Sequence, residues 1–102
     1  MNDYVLTEAA EYDLNEIWDY IADQSIEQAD AVAAEIREAL NLLASSPTIG
    51  HRRADVKDAR YRFWRANRFI IAYFPNTQPL QIIRIVGGHR DFRTLFKTPR
   101  GS

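Results

Sequence analysis

Two histidines, His51 and His89, and a dense set of arginines are the residues of this chain with the most chemistry to offer. His89 adjoins Arg90 just past a β-branched run ending at Val86, and Arg60, Arg62 and Arg84 lie on neighbouring strand-like runs. Cutting RNA through its 2′-hydroxyl needs a base, an acid for the leaving oxygen, and cations for the phosphorane charge. Arg62, His89 and Arg90 are a candidate set for that work. The competing reading is a histidine on a surface turn, and it carries more weight. Metal chemistry has little support, because the chain has no cysteine, two histidines, and no His/Asp cluster at ligand spacing. Without cysteine there is also no disulfide and no thiolate nucleophile. Gly87-Gly88 lacks the lysine and the spacing of a phosphate loop. Ser25, Ser45 and Ser46 are explained by helix starts and stops, and no Ser-His-Asp arrangement suggests itself. No cofactor is expected.

Two further residues have two readings each. Arg84 sits inside the apolar run Ile82-Ile83-Arg84-Ile85-Val86. A charge there must be paired or reach solvent, since an unpaired buried charge is very costly. It either bridges to Asp91 or to a helix acid, or it is a contact residue on an open sheet face. Trp64 alternates with Phe63 in a basic strand, so one of them faces the helices and the other faces out. An outward Trp64 between Arg62 and Arg65 suits a binding hot spot. An inward Trp64 is core.

The elements that must position these residues follow from periodicity. Asp3–Leu6 reads as a short strand. Thr7 can cap a helix, with Glu8 and Glu11 near its positive end. Leu14, Ile17, Trp18 and Ile21 make one buried stripe, and that helix should end near Asp23. Ser25-Ile26-Glu27-Gln28 is a capping box. From there Ala29, Val32, Ala33, Ile36, Leu40 and Leu43 continue one stripe until Ser45-Ser46-Pro47 ends it. The short connection predicts an antiparallel helical hairpin. Residues 47–58 read as loop. Arg60–Arg65, Phe69–Phe74 and Leu80–Val86 read as strands joined by a tight turn at Asn67-Arg68 and a looser one at 75–79. Short turns predict antiparallel neighbours in a meander. Phe69–Phe74 is apolar on both faces, as a central strand covered twice would be. The hairpin supplies one cover. No second cover is evident, so an apolar face is expected to await a partner. His89–Phe96 reads as a final helical turn.

The fold class is therefore α+β: an N-terminal strand and a two-helix antiparallel hairpin packed on a three- to four-stranded antiparallel sheet, with a short C-terminal helix. Residues 1–96 are expected to form one domain. Residues 97–102 read as a disordered tail, and Pro99-Arg100-Gly101-Ser102 looks like a tag remnant. No apolar run approaches the roughly 20 residues of a membrane helix, and the N-terminus lacks a signal-peptide pattern, so a cytoplasmic protein is expected.

The net charge of −1 hides a division. Residues 1–50 carry eleven acids and one base, Arg37. Residues 51–102 carry twelve bases, ten of them arginine, and three acids. Such asymmetry points either to nucleic acid or to an oppositely charged partner, or the two halves pair across the fold. Arginine offers a planar fork for carboxylate or phosphate, and here it is interleaved with aromatic residues.

The order of motifs carries a resemblance. Tyr4–Asp13 is followed by Leu14-x-x-Ile17. Leu43-x-x-x-Pro47-x-x-Gly50-x-Arg52-Arg53 ends the second helix. Arg60 precedes Phe69-Ile70-Ile71-Ala72-Tyr73, and Ile83-Arg84-Ile85-Val86-x-Gly88-His89-Arg90-Asp91 closes the chain. Together these resemble the ParE branch of the RelE/ParE toxin superfamily, over nearly the whole chain. The resemblance implies two helices against an antiparallel sheet, and a ParD-like antitoxin whose C-terminal segment wraps the toxin. It implies that ParE-like members poison DNA gyrase and that RelE-like members cut mRNA on the ribosome. RelE-like enzymes use cations on the sheet and a Tyr or His near the C-terminus. Arg62 and Arg90 match two such cations. Trp64 stands where the next is expected, and Phe96 stands at the terminal position without a hydroxyl. The resemblance therefore implies a plasmid-stabilisation toxin that binds gyrase with its DNA. Arg60, Arg62, Trp64, Arg84, His89, Arg90, Phe92 and Arg93 are the expected contacts for target or antitoxin. The alternatives are a ribosome-dependent endonuclease using Arg62, His89 and Arg90, and a non-toxic binding module of the same fold. The expected assembly is a homodimer or a toxin–antitoxin hetero-oligomer.

Overall fold

Thr7 starts the first helix and fastens it to the sheet at once. Its hydroxyl oxygen accepts from the Ala10 N–H and donates to the Ile83 carbonyl at 2.8 Å. The structure, a computed structural model, describes residues 3–97. β1 (Tyr4–Leu6) leads through Thr7 into α1 (Glu8–Ala22). Ser25 caps α2 (Ile26–Ser45) by accepting from the Gln28 N–H, as the capping box predicts. Pro47–Ile49 forms one 3₁₀ turn. β2 (Arg62–Ala66), β3 (Phe69–Phe74) and β4 (Leu80–Gly87) follow, and α3 (Phe92–Leu95) comes last. Asn67 takes a left-handed backbone with φ 61° in the tight β2–β3 turn, a conformation that Asn tolerates well.

The sheet order is β1-β4-β3-β2. β2, β3 and β4 form the expected antiparallel meander, while β1 lies parallel to β4 with Leu6 opposite Ile82. The direction of β1 is set by the long excursion through the hairpin and two strands before the chain returns beside it. The first face of the sheet carries Ile71, Tyr73, Leu80, Ile82 and Ile85, packed on Ala10, Ile36, Leu40 and Leu43 of the hairpin. Ala29 and Ala33 are buried in α2, as the small residues of its stripe predict.

The second face is not open. Phe63, Ile70, Ala72 and Val86 form a second core with Val56, Phe92 and Phe96, and Tyr61 and Leu95 pack at its margin. This corrects the expected uncovered apolar face. The cover is short in sequence: Asp91 caps α3, and the four-residue spacing of Phe92 and Phe96 puts both rings on one side. The two rings stack at 5.7 Å between centroids, and each meets Phe63 edge-on. The expected disorder of the tail falls mostly outside the described residues. Lys97 lies beyond α3 and is exposed.

One loop is held across the first core. The Tyr73 hydroxyl donates to the Pro47 carbonyl at 2.6 Å and accepts from the Gly50 N–H at 2.9 Å. Burial pushes the Tyr73 hydroxyl above its ordinary pKa, so it stays a donor. A Cβ at Gly50 would stand 2.2 Å from that oxygen, so only glycine fits. The next residue, His51, exchanges two backbone hydrogen bonds of 2.8 Å with Phe63 on the outer edge of β2.

Candidate functional site

The arginines of the basic half divide by what lies within reach. Arg84 pairs with Ala72 in the β-ladder and sends its side chain to Asp13 of α1. Nε and Nη2 donate to the two carboxylate oxygens at 2.6 and 2.9 Å. The Ile85 N–H, which points away from β3, donates to the same carboxylate at 3.0 Å. Asp13 is only 8% exposed and is thus fully satisfied. The Asp13 hydrogen bonds raise the Arg84 pKa, outweighing its burial. The partner is a helix acid, not Asp91, and Arg84 is no open-face contact. Asp91 instead holds the start of α3 by accepting from Thr94, and those bonds keep its carboxyl below the usual carboxylate range.

Arg60 lies before β2, not in it, and folds back on Asp58 with a shortest contact of 2.7 Å. Its guanidinium stands 5.0 Å from the Phe74 centroid. Arg60 holds the Asp58 carboxyl below its ordinary range. Arg53 grips Asp55 through two donors and lies over the Phe92 ring at 3.8 Å. Arg62 is half-buried and donates to the Gly50 carbonyl at 3.3 Å. These residues are committed to the fold.

Two expected contacts are corrected. Phe92 is 1% exposed and is core of the second face, not a surface anchor. Trp64 does not face out on an open sheet. It packs against the hairpin-side core and stacks on the His51 ring at 5.9 Å. The aromatic residues of the basic half are therefore spent on packing, because two covered faces need them.

His89, Arg90 and Arg93 are exposed. His89 and Arg90 line a groove of about 780 Å³ between the hairpin and the end of the sheet. Its apolar wall is Ile17, Ile21, Val32 and Phe69, its basic wall is Arg68, His89 and Arg90, and Glu16 and Tyr20 stand on the α1 rim. The His89 ring packs against Gly87, where a Cβ would come within 2.7 Å of it. The Arg65 guanidinium lies over Gly88, where a Cβ would stand 3.2 Å from it. The Gly88 N–H donates to the Arg68 carbonyl at 2.9 Å. Arg65 and Arg68 are exposed, and among the described residues neither has an acid partner. Arg65 entered the expected site only as a flank of Trp64, and Arg68 did not enter it. The available clue was the Gly87-Gly88 pair, which reads as a strand break but also makes seats for two side chains.

The candidate set Arg62, His89 and Arg90 is not assembled. Arg62 stands opposite Tyr73, and Gly87, before His89, stands opposite Phe69. Four residues of β3 separate them, about 13 Å at the usual rise of a strand. Among the described residues no group of three His, Cys, Asp or Glu could hold a metal ion, and no helix is long and apolar enough to cross a membrane.

The same architecture occurs in a solved structure of the chromosomal ParDE TA system from P. aeruginosa. The match has a TM-score of 0.69 at 23% sequence identity and covers 85% of this chain and 96% of that one. At that identity the likeness is one of fold. No curated relative matches the sequence. Residues 4–92 match the family model described as the ParE toxin of the type II toxin-antitoxin system, parDE, and the chain belongs to that family.

Proposed function

We propose that this ParE-family chain is a cytoplasmic toxin of a plasmid-stabilisation type, that it inhibits DNA gyrase by binding, and that a ParD-like antitoxin neutralises it. One observation carries the binding mode: the strand register keeps the Arg62 backbone about 13 Å along the strand direction, and two strands across, from the His89–Arg90 end of the sheet. An acid–base pair for RNA cleavage must meet at one phosphate, within hydrogen-bond reach. Phe96, at the terminal position where a RelE-like enzyme carries Tyr or His, is 5% exposed and fills the second core. The likeness to a structure of the chromosomal ParDE TA system from P. aeruginosa supports an antitoxin partner.

Purified chain should block gyrase supercoiling or stabilise cleaved DNA, and equimolar antitoxin should reverse this. Intact supercoiling activity at micromolar toxin, with ribosome-bound message cut instead, would overturn the proposal. Harmless induced expression in bacteria would remove the toxin reading altogether.

A further inference from the structure

The end of the sheet holds an uncommitted cationic surface. Arg65 lies over Gly88, Arg68 is bonded to Gly88 through its carbonyl, and His89 and Arg90 follow in the chain. The three arginines are exposed and make no ion pair among the described residues. Arg53, Arg60 and Arg84, by contrast, are each taken up by an acid. The guanidinium fork suits phosphate oxygens, and free forks clustered at one spot are the electrostatic footprint of a nucleic-acid backbone.

We propose that this end of the sheet is a contact surface for the phosphate backbone of duplex DNA. Single strands are held largely by stacking of bases on exposed aromatic side chains. The aromatic residues of the second half do not offer such a platform here. Phe63, Tyr73, Phe92 and Phe96 are buried, and Trp64 and Phe69 pack against the hairpin-side core. On the sheet side what remains is charge without a stacking platform, the exposed Tyr20 standing across the groove on α1, and a regular double helix of phosphates matches such charge. Acids flank the patch: Asp91 follows Arg90 in the chain, where it caps α3. Glu35 accepts from Asn67 in the β2–β3 turn, and Glu16 lines the far side of the groove. Both lie across the groove from Arg68, His89 and Arg90, so the duplex contacts the outer rim of the basic wall and does not enter the groove.

The test uses the full chain, without gyrase, and a fluorescein-labelled duplex of about 20 base pairs, followed by anisotropy across a salt titration. A plot of log affinity against log salt should have a slope near −3, about 0.9 for each of three phosphates. Arg65→Ala, Arg68→Ala and Arg90→Ala should each flatten the slope by about one. Arg37→Ala, on α2, should leave it unchanged, and Arg68→Lys should keep most of the parent slope. Thermal unfolding of each variant should match the parent, since these side chains are exposed and unpaired. Three results would overturn the proposal: no binding at low salt by folded protein, slopes indifferent to the three arginines, or tighter binding to the single strand or to polyglutamate. A chain that shows the slope but spares gyrase would overturn the proposed target and leave this surface standing. A chain that inhibits gyrase without the slope would do the reverse.

Discussion

Arg84 in the middle of β4 and Arg90 beyond its end carry the same group under opposite conditions. Arg84 has a carboxylate at 2.6 Å and is sheltered by α1, whereas Arg90 is exposed at the mouth of a groove. The difference lies in the neighbouring element. α1 lies against β4 and brings Asp13 to Arg84, while beyond Gly87 no acid among the described residues forms an ion pair with Arg90. A charge becomes structural where an acid is delivered to it, and otherwise it stays available to a partner. Arg53 and Arg60 lie between these extremes.

The comparison can be broken by removing each cation in turn. Arg84→Ala should cost most, about 3 kcal/mol in chemical denaturation, because it strands a buried carboxylate. Replacing the pair together with Met and Leu should cost clearly less. An equal cost would show that packing, not the stranded charge, sets the loss. Arg53→Ala should lower the thermal midpoint by an amount equivalent to about 1 kcal/mol, through the lost contact on Phe92. Its effect should concentrate in faster amide exchange at Leu95 and Phe96, sparing the hairpin. The smallest effect belongs to Arg60→Ala, whose denaturation midpoint at neutral pH should barely move, as is usual for an exposed pair. Its sign is nevertheless fixed. Asp58 has a folded pKa below its ordinary value, so its contribution exists above about pH 4 and fades as pH falls through the lowered value. The gap between parent and Arg60→Ala should therefore close in acid, and a gap that widened in acid would contradict the Asp58 assignment.

Much of the scaffold was legible because its rules are local. Thr7 and Ser25 announce helix starts by residue type, and Phe69–Phe74 announces a doubly covered strand by having no polar face. The cover of the second face was not legible. Phe92 opens a helix of four residues and Phe96 follows its end, too short a stretch to show a period, and their partner Phe63 is distant in sequence. Asp13 was hidden among eleven acids, since its role depends on where α1 lies against β4. The direction of β1 was hidden because three residues carry no mark of parallel pairing. The charge division was legible, but its meaning was not. Among the described residues two of the three ion pairs are formed within the basic half, and only Asp13–Arg84 joins the halves.

The bridge between His51 and Phe63 has a consequence for solubility. β2 is the outer strand of the sheet, and an outer strand is where identical chains add to one another and grow into fibrils. Here two backbone hydrogen bonds of 2.8 Å plug its centre, and the His51 ring rests on Trp64 to keep the plug seated. Many proteins guard such an edge with lysine charges, which salt screens. This guard is made of peptide groups and a ring contact, so high ionic strength leaves it in place.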